Sequence, residues 1–311
     1  MSNQQTYRET LRTTLHTRMK LDPSIVILGQ DLSLWGGAGN VFEGFSHDFP
    51  GRIIDTPISE AATAGIAVGM AMQGMRPIVE HTFMDFSLHA MDQIINQAAK
   101  MSALSNGQFT TPVIYRMVVN SARSYGATHS QSLESLFTDI PGLHVFFPAT
   151  PQDVNEVINY ALSSAVPSVI VEHKLLHDIS GDVVDTISEN ITASVMSEGE
   201  KLTIITHGRM VQETMIATKD IPDITVINLK TLSPLDVETI LISAETGKVL
   251  LIEEGYGAIT AKVAALLTDA GFNGRIKRLT SQFEPLLQNR ESIILPNSIS
   301  IGKAITALLS E

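Results

Sequence analysis

Short β-branched runs alternate along this sequence with longer stretches of helical periodicity, and that alternation restricts the fold more than any other feature. Strands are expected at residues 25–29, 52–55, 77–81, 113–117, 144–147 and 168–172. Helical patterns lie near 7–19, 59–73, 87–104, 132–137 and 151–163. Strand, helix, strand repetition means a mainly parallel sheet with helices on both faces, an α/β architecture. The stretch from about 181 to 199 breaks this rhythm. It is acidic, Ser/Thr-rich and poorly periodic, and reads as a linker. A second alternation follows, at 202–206, 211–217, 224–229, 237–243, 249–253, 258–270 and 276–279. At 311 residues the chain is long for one domain and comfortable for two. The expected division is a larger domain over 1–180, a linker over 181–198 and a smaller α/β domain over 199–311.

Composition removes several classes of function. Apolar residues make up 44% and charged residues 17%, a globular balance. Net charge is −12, and no basic stripe offers to neutralise phosphates, so no nucleic-acid partner is expected. The chain has no cysteine, which excludes disulfides, thiolate metal sites and cysteine nucleophiles. The N-terminal residues are polar and helix-like, without the apolar core of a signal peptide. No run approaches 18 apolar residues, so no membrane span is expected. A cytoplasmic location is expected on these grounds.

The ordinary nucleotide and metal motifs do not fit. Gly36, Gly37 and Gly39 follow a strand but lack the dinucleotide spacing. Gly255 and Gly257 also follow a strand, with Thr260 where a third glycine belongs. There is no phosphate-loop lysine and no G-x-S-x-G elbow. His173 and His177 have the i,i+4 spacing of a metal pair on a helix. They follow a strand, however, without a third ligand nearby, and read as two partly exposed polar residues.

The most informative stretch is Asp55-Thr56-Pro57-Ile58-Ser59-Glu60-Ala61-Ala62-Thr63-Ala64-Gly65. Proline ends a strand, Ser59 is placed to cap a helix, and Glu60 falls in its first turn. The helix is small residues and methionine, and is expected to be largely buried. Glu60 has two readings: a solvated acid favoured by the helix dipole, or a desolvated acid able to hold a proton.

This stretch resembles the signature of the beta subunits of 2-oxo-acid dehydrogenases. The likeness continues through His81-Thr82-Phe83-Met84-Asp85-Phe86, Met91–Lys100, Thr128-His129-Ser130-Gln131-Ser132 and Ile140-Pro141-Gly142-Leu143. It implies a pyrimidine-binding, transketolase-like domain followed by a transketolase C-terminal-type domain. It implies thiamine diphosphate as cofactor. Glu60 would hydrogen-bond the aminopyrimidine and favour its imino tautomer, which removes the thiazolium proton. Phe86 would pack on the aminopyrimidine, with Ile58 beside it. His129 would help the acyl group leave for a lipoyl arm. The family holds the diphosphate and Mg²⁺ with a Gly-Asp-Gly motif, and the nearest approach here is Gly181-Asp182-Val183. The resemblance therefore implies an alpha subunit carrying Mg²⁺, an α2β2 heterotetramer, a lipoyl acyltransferase partner and a small-molecule substrate.

Four departures stand out. Gln30 occupies a position where the family usually has glutamate. The loop 120–126 is less glycine-rich than usual. The C-terminal Pro-x-x-Pro stretch is replaced by 280–286. Ser164 replaces an aspartate near a potassium site. Residues 172–176, 206–211 and 233–236 look most like acetoin dehydrogenase beta subunits, with pyruvate and branched-chain enzymes close behind. The rival readings are a two-subunit thiamine carboligase or acyl transferase without a lipoyl partner, and a non-catalytic assembly subunit.

Overall fold

The computed structural model describes residues 3–310, and the alternation read from the sequence closes into two main sheets. The larger has seven strands in the order Thr231–Ser233, His144–Phe146, Ser168–His173, Ile114–Val119, Arg76–His81, Ile25–Gly29, Ile53–Asp55. Neighbours run parallel except the first pair, which is antiparallel. Parallel strands need crossover helices, and these cover both faces. Tyr7–Leu21 and Pro151–Ser163 pack on one face through Leu11, Leu15, Val157 and Ile158. Glu60–Met72 and the segment leading to Leu104 cover the other through Ala64, Ala67, Ile94 and Ala98. The first pair of helices starts on capping boxes, Thr6 with Glu9 and Thr150 with Asp153, each stabilising by about 1 kcal/mol.

The second sheet has five strands in the order Arg275–Leu279, Lys248–Ile252, Leu202–Thr206, Ile224–Asn228, Ser194–Ser197. All its pairs are parallel except the last. Arg209–Thr218 and Ser298–Ser310 cover one side of it through Met210, Ile301 and Ile305.

Several local expectations fail. The single helix expected over 87–104 is three pieces: a 3₁₀ segment Met84–Ala90, a π-wound turn Gln93–Ala98 and an α-helix Ala99–Leu104. The 132–137 helix is one 3₁₀ turn, Glu134–Phe137. The linker stretch carries two strands. Ser180–Asp182 pairs antiparallel with Gln4–Thr6, and Ser194–Ser197 edges the second sheet. Both are short and half-exposed, so no apolar period marks them. The stretch Glu291–Ser310 is apolar and long enough to cross a membrane by composition. It is two helices separated at Leu295–Asn297, and Ile301, Ala304, Ile305 and Leu308 lie in the core.

Candidate functional site

In a parallel sheet the loops leaving the carboxyl ends of the strands form the natural crevice. Here three of them meet. The chain turns at Asp31, in the left-handed region (φ 52°), at Pro57-Ile58 before the helix Glu60–Met72, and at Thr82-Phe83. Gln30, Asp31, Ile58, Glu60, Thr82, Phe83, Phe86 and His89 line one cleft of about 430 Å³. The Asp55 carboxylate fixes the first turn by accepting the Leu32 and Ser33 N–H groups at 2.7 and 3.1 Å. Partial burial opposes its ionisation, but the bonds from Ser33 and Leu32 outweigh that and hold it below the usual carboxylate range.

Glu60 opens its helix half-buried, and Gln30 Nε2 donates to its Oε1 at 3.4 Å. The expected Ser59 side-chain cap is not made; the Ser59 carbonyl instead accepts the Thr63 N–H and hydroxyl. The helix is also less buried than expected. Ala64, Ala67, Val68 and Ala71 face the core, while Ala62, Ile66 and Gly69 are exposed. Ile58 is 80% exposed at the cleft edge.

The far wall is aromatic. Phe83 and Phe86 meet edge-to-face at 6.0 Å, and the His129 ring stands nearly perpendicular to both, at 5.0 and 5.1 Å. Tyr125 packs on Phe83 at 6.0 Å. Thr128 Oγ1 lies 2.9 Å from His129 Nδ1. Glu60, Phe86 and Ile58 thus share one cleft, and His129 touches its aromatic wall. Sequence reasoning gave no role to Phe83 or Tyr125, although Phe83 stands in a stretch that carries the resemblance. It also passed over Asp85, which accepts the Gln131 side-chain and backbone N–H groups at 2.8 and 3.3 Å. Burial pushes the Asp85 pKa up.

Behind the cleft runs a buried ionic chain. Arg116 donates to Glu80, to both oxygens of Glu172 at 2.5 and 2.8 Å, and to the Ala38 carbonyl at 3.0 Å. His177 Nε2 meets Glu172 at 3.1 Å. His173 Nδ1 accepts the Leu175 N–H at 3.1 Å, and its Nε2 faces Ser121 at 2.8 Å and Glu254 at 3.3 Å. Both histidines are therefore buried, not partly exposed as expected: each has a carboxylate partner that local sequence does not reveal. Among the described residues no group of three or more His, Asp or Glu is placed to hold a metal ion.

Family models match the two halves of the chain separately. The transketolase pyrimidine-binding domain matches residues 3–178, and the transketolase C-terminal domain matches residues 192–307. The pyruvate dehydrogenase E1 component subunit beta of Rickettsia bellii is 34% identical, covering 96% of this chain and 97% of its own. The acetoin:2,6-dichlorophenolindophenol oxidoreductase subunit beta of Cupriavidus necator is 36% identical over 78% of this chain and 77% of its own. The 2-oxoisovalerate dehydrogenase subunit beta of Bacillus subtilis is 34% identical over 90% of each. Among solved structures, a split-gene transketolase described as an inactive beta4 tetramer has the same fold, with a TM-score of 0.81, 22% identity and 98% of both chains covered.

Proposed function

Because the chain belongs to the transketolase-type beta subunits of thiamine-diphosphate-dependent 2-oxo-acid and acetoin dehydrogenases, we propose that its cleft is the pyrimidine side of an active site completed by an alpha subunit. The observation that carries the reading is the convergence of Glu60, Phe86 and Ile58 on one cleft, with His129 against its wall. These residues fit a flat, neutral heterocycle. Among the described residues only Gln30 bonds the Glu60 carboxylate, so acceptor capacity remains for a ring N–H. Phe83 and Phe86 offer aromatic surface beside it.

The same lining does not fit a diphosphate. It contains the carboxylates of Asp31 and Glu60 and no lysine or arginine. A compact polyanion there would meet like charge without a counter-ion. This supports placing the diphosphate and its Mg²⁺ on the partner. Exposed apolar side chains at the cleft edge and on the two elements that line it support a covering subunit: Ile58 at the edge is 80% exposed, Ile66 in the helix Glu60–Met72 54%, and Leu88 in the segment Met84–Ala90 45%.

When bound, thiamine diphosphate supplies a nucleophilic thiazolium carbon that cleaves an acetoin or 2-oxo-acid substrate. Glu60 would hydrogen-bond the aminopyrimidine ring and share a proton with it. Phe86 and Ile58 would pack against the ring and, under a covering subunit, keep water from it. His129 stands at the entrance as the donor that serves transfer of the acyl group to a lipoyl acyltransferase. Calorimetry tests the divided site. The purified chain should bind thiamine diphosphate with Mg²⁺ weakly or not at all, and the assembled pair should bind it tightly. Tight Mg²⁺-dependent binding by this chain alone would overturn the proposal.

A further inference from the structure

The loop that carries His129 is fixed from the other half of the molecule. It leaves the strand Ile114–Val119 and passes through Ser121, Ala122, Ser124 and Gly126 before reaching His129. Three groups from beyond residue 250 hold it. Ser121 Oγ donates to Glu254, whose other oxygen accepts Arg209 Nε at 2.5 Å. The Ser124 N–H donates to Glu291 Oε2 at 2.8 Å. The Gln288 side chain lies against Gly126, where an added Cβ would sit 3.5 Å from its Cγ.

Glu291 is the notable member. It is 3% exposed, and among the described residues its second carboxylate oxygen has no hydrogen-bond partner. A buried carboxylate is costly to keep unless its bond is needed. The backbone it holds is strained, since Ala122 and Ser124 are non-glycine residues in the left-handed region (φ 58° and 62°). Such a conformation persists only where surrounding contacts impose it. From Ser124 the chain makes one compact turn: Tyr125 packs on Phe83, and the His129 N–H closes on the Gly126 carbonyl at 3.1 Å.

We infer that Glu291 is a positioning residue for His129: the C-terminal half, which adds no side chain to the cleft lining, sets the imidazole by clamping the Ser124 amide. The inference deepens the reading of His129 given above and rests on it. A fold-only role for Glu291 would leave the loop unmoved once the protein had folded.

Hydrogen exchange and kinetics on the assembled complex test this together. In Glu291→Ala the Ser124 and His129 amides should exchange at least about tenfold faster, the scale of one lost bond to a charged acceptor. The kcat for acyl transfer to a lipoyl domain should fall about tenfold, with KM for that domain little changed. Glu291→Gln keeps an acceptor oxygen and should restore both to within about threefold. If Glu291→Ala does not fold, Glu291→Asp carries the same expectation, because it withdraws the acceptor by one methylene and keeps the charge. Unchanged exchange in a folded variant overturns the clamp. Faster exchange with wild-type transfer kinetics overturns the positioning role. If the wild-type complex transfers no acyl group at all, the reading of His129 as transfer donor falls, and exchange at the His129 amide alone then decides whether Glu291 sets that residue.

Discussion

Replacing Arg116 by methionine should be among the most damaging single changes in the N-terminal half. The side chain is 2% exposed and lies between two carboxylates that are 0 and 1% exposed. Methionine fills much of the volume but leaves Glu80 and Glu172 without the guanidinium between them, and the Ala38 carbonyl without its donor. Breaking a buried ion pair by removing one partner costs about 3–5 kcal/mol. The lost bond to a neutral carbonyl adds about 1 kcal/mol. Against a total stability of about 5–15 kcal/mol, a loss of about 4–6 kcal/mol at pH 7 leaves a marginal protein.

The pH dependence gives this prediction its sign. In the wild type, burial opposes ionisation of Glu172, but Arg116 outweighs it and holds the carboxyl at about 2. A depressed folded pKa contributes stability that is present above the unfolded value and lost as pH falls through the folded one. Glu80 goes the other way: burial outweighs Arg116 and raises it. Without the guanidinium, burial should dominate at both groups, so the folded variant binds protons more tightly than the unfolded chain. Its stability then falls as pH rises, and the deficit against wild type should be smaller at pH 5 than at pH 7. Urea unfolding followed by circular dichroism, at fixed protein concentration and both pH values, measures this through the midpoint and slope. A loss below about 1 kcal/mol at pH 7 would refute the reasoning, as would a deficit that grows on acidification.

Two further outcomes bear on the proposed chemistry. Glu60→Gln keeps the shape but cannot share a proton; in the assembled complex it should slow deuterium exchange at the thiazolium carbon by about two orders of magnitude, with folding intact. His129→Ala should reduce acyl transfer to a lipoyl domain more than it reduces turnover with an artificial electron acceptor. A wild-type complex active with that acceptor yet inert toward every lipoyl domain would favour the carboligase reading instead.

What could be read from the sequence was what neighbouring residues decide. The strand Leu202–Thr206 and the helix Pro151–Ser163 fall where the runs place them. The latter is set by Thr150, Pro151 and Asp153 acting within four residues. Glu60 and Phe86 stand out because the stretches that carry them are distinctive, and both line one cleft. Distant partners were not legible. Thr231–Ser233 completes the first sheet from within the second half of the chain, by pairing with His144–Phe146. The burial of His173 depends on Glu254, and that of His177 on Glu172 and the Arg116 chain behind it. Tyr125 reaches the cleft wall through a loop whose shape Glu291 helps to impose.

The glycine-rich loops of this chain lack phosphate-binding spacing for a physical reason. Glycines at the ends of parallel strands commonly open backbone N–H groups to an external anion. Here the anions are the protein's own. Glu80 accepts the Ala38 N–H at 2.5 Å, and a Cβ on Gly37 would lie 2.4 Å from its oxygen, so glycine is required for the loop to close over a carboxylate. Glu253 does the same for the helix Ala258–Asp269, accepting the Gly257 and Thr260 N–H groups at 2.7 and 2.6 Å. A phosphate entering either place would have to displace a buried carboxylate that already satisfies those donors. Both sites are closed by internal charge, and the open cleft is lined by acids and aromatic rings. Both observations support the proposal that the diphosphate end of the cofactor finds its donors on another subunit, with this cleft taking the planar ring of the same ligand.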